Sequence, residues 1–526
     1  MAPVWKTMGH NGVAFPPQHN VTGLAVKVKG REVSLTALAD EMAFHFAKKK
    51  DTPYVKDPVF QANFMNDFRR QLPDWCKDAK FEDVDFSQFY ARVDEEKRGK
   101  ESMSKEAKKA QAADRKIMRE ELRLKYGRAT IDGNEVEIAN WMVEPPGLFM
   151  GRGAHPLRGC WKPRVRPEDV ILNLDEESTV PLGNWKKVVH DHESVWFAKW
   201  IDRLTEKEKY VWPHESSDLQ QSRNKEKYDR AVVAGRNLEK LNTKILKAMA
   251  SRDEKQGKIA TVCYLINKIG MRVGDEKDED EADTVGATTL RVEHLKIDQK
   301  GIGFDFLGKD SVRWVKRIDN PEHIFIKNIK KFVAGKRAGE EIFDVVNSSM
   351  VNRFLSGIVE GLTAKVFRTY HATRITESEL RLKDVKDEDD LEKKYHVKMA
   401  NLKAAIWCNH KRTPPKTWEE SLKKKEQKLK EYKAKGKEER VRKMSMDIEL
   451  TKETKEYNLN TSLKNYIDPR VIKSWADSVG LDWKKIYTSS LLRKFEWAAK
   501  ARNPWEEARA APVPVIQKFK AEKDSG

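Results

Sequence analysis

Cysteine is scarce and scattered: four in 526 residues, at Cys76, Cys160, Cys263 and Cys408, with no CxxC pair. That spacing supports neither a disulfide framework nor a zinc site and suits a reducing, intracellular compartment. No apolar run approaches the ~20 residues that a membrane span needs, and no basic amphipathic anchor or lipidation motif is present. Met1-Ala-Pro-Val-Trp5 lacks the apolar core of a signal peptide, so a soluble chain without a membrane partner is expected. Motifs for nucleotide hydrolysis are missing too. Gly308-Lys309-Asp310 lacks both the preceding glycine and the Ser/Thr directly after lysine that a phosphate loop uses. The acidic run from Asp275 to Asp283 lacks the glycine-containing spacing of a calcium loop. His190-Asp-His192, on a strand, would merely put two imidazoles on one face. No internal repeat is visible.

Positive charge is abundant. Lys and Arg number 102 against 83 Asp and Glu, a net charge of +19 with 35% of residues charged. Such an excess suits a polyanion, either nucleic acid or an anionic membrane surface, and the missing membrane anchors favour nucleic acid. The length predicts three or four domains, each able to bury a core.

Along the chain, Trp5, Phe15 and Pro16-Pro17 form an extended aromatic entrance. From Leu24 to about Gln71 the spacing of Leu38, Met42 and Phe46, and then of Phe60, Phe64 and Phe68, predicts helices. Asp85 to Tyr126 is charge-rich and helical, with few apolar anchors between Lys97 and Arg115, so it either projects into solvent or lines a charged partner. Residues 129–215 look β-rich, with a hairpin signal at Ile131-Asp-Gly-Asn and Val188 to Trp200 reading as strand. Between them lies the Pro- and Gly-rich loop Glu144 to Pro156, where Arg152 stands between two glycines and could reach a phosphate. Helices resume from Lys225 to Ile269, then follow a β region at Leu290–Phe306 turning at Gly308-Lys309-Asp310, and helices from Pro321 to His371 and Val385 to Trp407. Residues 417–457 turn sharply to Lys and Glu. Trp418, Leu422, Lys425, Leu429 and Tyr432, and then Val441, Met444 and Ile448, predict two helices folded back through Lys435-Gly436-Lys437 as an antiparallel coiled coil.

Tyr466 sits between Asn465 and Ile467, just ahead of the helix-start signal Asp468-Pro469. A phenol there can be held rigidly, as a nucleophile requires, although a free Tyr with a pKa near ~10 is weak at neutral pH. Breaking a DNA strand with a tyrosine asks for cations on the non-bridging oxygens of a five-coordinate phosphate, for which arginine is best suited. A histidine adds a donor, and a lysine can give the departing 5′ oxygen its proton in place of a metal ion.

Leu265-Ile-Asn-Lys-Ile-Gly-Met-Arg-Val-Gly-Asp-Glu-Lys277, Ala282-Asp-Thr-Val-Gly286 and Thr289-Leu-Arg-Val-Glu-His-Leu295 together resemble the core of type IB DNA topoisomerases of the cellular, eukaryotic-like kind. Phe304-Asp-Phe-Leu-Gly-Lys-Asp-Ser311 resembles that family's lysine hairpin, Gly361 to Tyr370 its second-arginine box, and Cys408-Asn-His-Lys-Arg-Thr-Pro-Pro415 its histidine box. Thr461 to Arg470 completes the set, and the resemblance is collinear from about Trp5 to Trp497. It implies an α+β multidomain protein, a two-lobed DNA clamp. Residues 1–220 would form a mixed α/β cap and 221–416 a mainly helical catalytic domain of the tyrosine recombinase/topoisomerase IB type. Residues 417–457 would be the coiled-coil linker and 458–526 a small helical C-terminal domain. It implies that Tyr466 forms a 3′-phosphotyrosyl bond, that Arg272, Arg368 and His410 hold the transition-state oxygens, and that Lys309 is the general acid. The family's DNA contacts fall on Arg152, Trp196, Lys209, Tyr210, Lys227, Lys277, Thr284, Asn352, Thr363, Lys365 and Lys428. The implied partner is double-stranded, preferably supercoiled DNA, bound by a monomer. No ATP is expected, because the phosphotyrosine conserves the broken linkage, and no obligatory divalent metal.

The chain departs from the family pattern in Met150, which replaces an arginine, in Lys411, which replaces a glutamine, in a shorter linker, and in matching that begins almost at Met1. The last feature leads us to expect a compact archaeal- or viral-type enzyme of the cytoplasm or nucleoid, or a nuclear one if the source is eukaryotic. Two alternatives stay open. A tyrosine recombinase usually places His three residues before the second arginine, where this chain has Lys365. An architectural DNA-binding protein could keep the clamp and lose catalysis, against which stand the five intact residue types.

Overall fold

The structure, a computed structural model, describes residues 3–275 and 283–506. Lys277 therefore lies outside the described residues. The chain divides into two compact units, one holding the chain up to Gln220 and the other beginning at Gln221.

The first unit has two cores. In one, helices α1 (Ala37–Ala47), α2 (Pro58–Phe68) and α3 (Ser87–Ser102) pack with the antiparallel strands β2 (Ala25–Val28), β3 (Arg31–Ser34) and β4 (Val84–Asp85). Asp57 caps α2 by accepting from Val59 and Phe60 N–H, with Pro58 at the first helical position. The four-residue spacing of Phe60, Phe64 and Phe68 then puts all three rings into the core, where Phe46 stacks on Phe64 at 4.3 Å. The sequence pattern from Leu24 predicts helix, but Ala25–Ser34 is a hairpin. Its Lys29 and Gly30 turn has positive φ at both positions, which closes strands rather than a helix.

In the second core, β1 (Met8–His10) pairs with the hairpin of β5 (Arg128–Ile131) and β6 (Asn134–Glu137). A four-stranded sheet runs in the order β10 (Lys187–Val189), β9 (Ile171–Asn173), β11 (Ala198–Ile201) and β12 (Glu208–Val211). A short ribbon, β7 (Gly147–Leu148) with β8 (Trp161–Lys162), flanks the Pro- and Gly-rich loop. Val188 to Trp200 is not one strand. The buried Asn173 accepts from Asp191 N–H at 2.8 Å and donates to the Asp191 and Trp196 carbonyls, folding that stretch into a loop between β10 and β11. Helix α4 (Lys105–Tyr126) buries no side chain.

The second unit is built on one large core. Helices α5 (Asp218–Arg236), α6 (Leu238–Met249) and α7 (Glu254–Ile269) lead to the three-stranded antiparallel sheet of β13 (Leu295–Ile297), β14 (Gly301–Gly308) and β15 (Val312–Asp319). Helices α8 (His323–Val333) and α9 (Ser348–Ile358) follow. Helix α10 (Ala364–Arg381) is buried along most of its length, and α11 (Asp390–Trp407) packs along it. Helices α12 (Trp418–Ala434) and α13 (Glu438–Glu453) form an antiparallel hairpin around Gly436 at φ +57°. Its seam is thin, since α12 buries no side chain and α13 only Ile448. The ion pairs Lys425–Asp447 and Glu426–Lys452, each at 2.8 Å, join the helices. Helices α14 (Leu459–Asn465), α15 (Pro469–Ser478) and α16 (Ser489–Lys494) complete the unit.

Candidate active site

Four of the five residues singled out for chemistry converge in the second unit because four element ends meet there. Helix α7 stops at Gly270, which takes the left-handed conformation (φ +70°), and a Cβ there would lie 2.7 Å from the Trp407 ring. Arg272 follows two residues later, on a strap bonded through Ala287 N to Arg272 O and Thr288 N to Val273 O, both 2.8 Å. Arg368 lies on the buried helix α10. His410 follows the end of α11, its N–H bonded to Ala405 O and its carbonyl accepting from Asn458 N. Tyr466 terminates α14, and the Thr373 hydroxyl on α10 donates to its carbonyl at 3.1 Å while accepting from Asp468 N at 3.0 Å.

The phenol is surrounded by donors. Arg272 Nη1 donates to Tyr466 Oη at 3.2 Å. The Arg368 guanidinium lies 5.1 Å from the Tyr466 ring centre, and the His410 ring 5.1 Å from it. Arg368 is itself fixed: it donates to Gly270 O at 2.5 Å and Cys408 O at 2.7 Å, and faces His410 Nε2 at 3.3 Å. Arg272 is exposed, whereas Tyr466, Arg368 and His410 are buried, so the site opens to solvent on the Arg272 side.

Electrostatics follows from this packing. Burial alone pushes the Tyr466 phenol up, but the charges of Arg368 and Arg272 and the bond from Arg272 outweigh it and hold the group below its ordinary value. Burial, reinforced by Arg368, Arg272 and Lys316, lowers His410 to about 2, so its imidazole is neutral. Because an arginine can only donate, the His410 nitrogen facing Arg368 accepts, and the proton resides on Nδ1. That Nδ1 and Arg368 Nε are buried without a hydrogen-bond partner among the described residues. Such donors fit an incoming anion with several acceptor oxygens, and a phosphodiester is one.

Lys309 is set apart from this group. It is exposed at the tip between β14 and β15, where Asp310 and Ser311 have φ of +67° and +56°, and it makes no hydrogen bond or ion pair with the other four. Near the tyrosine, Lys227 donates to Asn465 O at 3.1 Å. Asn352 accepts from Ala364 N at 2.9 Å at the start of α10, beside Thr363, and Lys365 is exposed on the first turn. Thr284 is half-buried and Lys428 exposed on α12. In the first unit Arg152 is exposed, Lys209 lies 3.8 Å from Glu144, and Tyr210 bonds Glu208. Trp196 is buried, its ring edge-on to Tyr210 at 6.1 Å. His190 and His192 have separate duties: His190 contacts Leu174 O, and His192 stacks on Trp5 at 4.0 Å.

One residue of this neighbourhood escaped sequence reasoning. Lys316 is buried on β15, its amine donating to Ile269 O at 2.7 Å and to Trp407 O. The period-two alternation that turns Trp314 and Ile318 inward also turns Lys316 inward, and a lysine at such a position was the available signal.

Comparison with known proteins agrees with the geometry. Residues 3–213 match the family model of the eukaryotic DNA topoisomerase I DNA-binding fragment, 216–443 that of its catalytic core, and 438–507 that of the C-terminal topoisomerase domain. DNA topoisomerase 1 alpha of Arabidopsis thaliana is 37% identical over 94% of this chain, which spans 58% of that protein. DNA topoisomerase 1 of Homo sapiens is 33% identical over 94% of this chain and 70% of its own length. The Drosophila melanogaster protein is also 33% identical, with 54% of its length covered. These relatives are plant and animal proteins and lend no support to an archaeal or viral origin. With three family models in register along it and a human relative matched over most of its length, the chain belongs to the eukaryotic DNA topoisomerase I family.

Proposed function

We propose that the chain is an ATP-independent type IB DNA topoisomerase, relaxing positive and negative supercoils by transient cleavage of one strand. The observation that carries this reading is the Tyr466 hydroxyl held at 3.2 Å by Arg272, with Arg368 and His410 packed against its ring. Tyr466 gives its phenolic proton to solvent, Oη attacks the phosphorus and the P–O5′ bond breaks, giving a 3′-phosphotyrosyl bond and a 5′ hydroxyl. The proton on the leaving oxygen comes from Lys309, which the hairpin of β14 and β15 presents on an exposed tip. Arg272, Arg368 and the Nδ1–H of His410 receive the negative charge that builds on the non-bridging oxygens. Religation is the same sequence reversed, and between the two steps torque in the DNA turns the free end. The energy of the broken linkage is retained in the phosphotyrosine, so the cycle consumes no nucleotide.

In this reading the first 220 residues act as the cap of a DNA clamp, and Arg152, Lys209, Tyr210 and Trp196 serve it. Residues 221–416 are the catalytic domain, 417–457 a coiled-coil linker and 458–526 the C-terminal domain. Lys227, Lys277, Thr284, Asn352, Thr363, Lys365 and Lys428 contact the DNA backbone or minor groove. The protein acts as a monomer on duplex DNA, in the nucleus of a eukaryotic source. A duplex whose cleaved strand ends a few nucleotides downstream traps the covalent complex, because the short 5′-hydroxyl fragment diffuses away. Peptide mapping should place the 3′-phosphate on Tyr466. Attachment at another residue, or through a 5′ phosphate, would refute the mechanism.

A further inference from the structure

Two positive groups share out the last carbonyls of α7 and α11. Arg368 takes Gly270 O and Cys408 O, and Lys316 takes the carbonyls immediately before them, Ile269 O and Trp407 O. Arg272 lies two residues beyond the first pair and His410 two beyond the second. Lys316 in turn belongs to β15, the return strand of the hairpin that carries Lys309. Its amine is enclosed by two indoles, 5.2 Å from the Trp314 ring centre and 4.9 Å from that of Trp407.

We infer that Lys316 is a positioning residue for strand transfer: one amine ties the Lys309 hairpin to the C-terminal carbonyls of α7 and α11 and so fixes Lys309, Arg272 and His410 in a common register. The proposed strand-transfer reaction is the premise of this inference. The placement is favourable on two physical grounds. The C-terminal carbonyls of a helix carry the negative end of its dipole and attract a cation. The two neighbouring aromatic faces add to that attraction. Burial lowers the lysine to about 7. The tie does not depend on its charge, because the neutral amine keeps two N–H donors for two carbonyls. A lysine in a purely packing role would not need both helix ends.

The test compares single-turnover cleavage on the trapping duplex by wild type, Lys316→Met and Lys316→Gln. Methionine keeps the apolar stem and removes the donors, while glutamine keeps two amide donors. The expected result is a cleavage rate about tenfold to a hundredfold lower for Lys316→Met, the scale of a small misplacement of reacting groups, with partial recovery in Lys316→Gln. Binding of the duplex, measured in the Tyr466→Phe background, should not change. In an Arg272→Ala background the Lys316 substitution should slow cleavage by a smaller factor than in wild type, because part of its effect is exerted through Arg272. If Lys316→Met does not fold, the cycle of Lys316→Gln with Arg272→Ala decides, coupling upholding the inference and additivity overturning it. A folded Lys316→Met that cleaves at the wild-type rate would overturn this inference alone. Failure of the wild-type chain to cleave would overturn the proposed reaction and the inference with it.

Discussion

At Tyr466 two opposing effects meet: burial disfavours the phenolate, and two guanidinium groups favour it. The balance explains why Arg368 is buried yet bonded to carbonyls rather than to a carboxylate, since an acidic partner would cancel the charge that lowers the phenol. Arg368→Ala should therefore slow cleavage by two to three orders of magnitude, roughly the loss of one oxyanion donor, with duplex binding retained in a filter or gel assay. Lys309→Ala should slow cleavage of an ordinary substrate strongly but have little effect on a 5′-bridging phosphorothiolate, whose thiolate leaves without a proton; equal slowing on both would refute the acid role. His410 makes a pH prediction. Its folded value, about 2, lies below the ordinary value of 6.5, so as pH falls through 6.5 the unfolded chain gains a proton that the folded chain refuses. Stability is then lost on acidification below about 6.5, by about 1.4 kcal/mol per pH unit from this group. His371, lowered to about 3 by burial, acts in the same sense. Denaturant midpoints between pH 7 and 5 should fall more steeply for wild type than for His410→Gln.

Among the elements, α15 shows how Tyr466, the proposed nucleophile, is anchored. Asp468, fully buried two residues after Tyr466, caps α15 through Arg470 N, pairs with the Arg470 guanidinium at 2.7 Å and accepts from Trp505 Nε1 at 2.8 Å. Asp468→Ala leaves Arg470 short of its buried partner and should cost about 3–5 kcal/mol, read as a lower unfolding midpoint together with slower cleavage. Asp229, 2.7 Å from Arg470, limits the loss. The Asp-Pro signal that starts α15 was legible in the sequence because a cap and a first-turn proline act locally. So was the four-residue spacing that buries Phe60, Phe64 and Phe68. What could not be read was settled by distant partners. Asn173 breaks Val188 to Trp200 from across the sheet, and the hairpin of β2 and β3 overrides a helical spacing by pairing with β4. The site divides in the same way. Arg272, Lys309, Arg368, His410 and Tyr466 stand in long motifs, which made them candidates in the sequence, and the structure brings all but Lys309 together. Lys316 acts through two carbonyls far away in the chain, which no local pattern announces.

For the whole molecule, the net charge of +19 predicts DNA binding that weakens steeply with salt as counterions are released. Lys227→Ala and Lys365→Ala should each make the slope of log affinity against log salt shallower by about one; an unchanged slope would remove that lysine from the interface. Between enzyme, recombinase and architectural protein, the most direct arbiter is relaxation of positively and negatively supercoiled plasmid, with excess EDTA and no ATP, by wild type and Tyr466→Phe. The account predicts that wild type relaxes both circles and that the mutant binds them but relaxes neither. Relaxation by Tyr466→Phe, or by wild type only when magnesium or ATP is supplied, would contradict it.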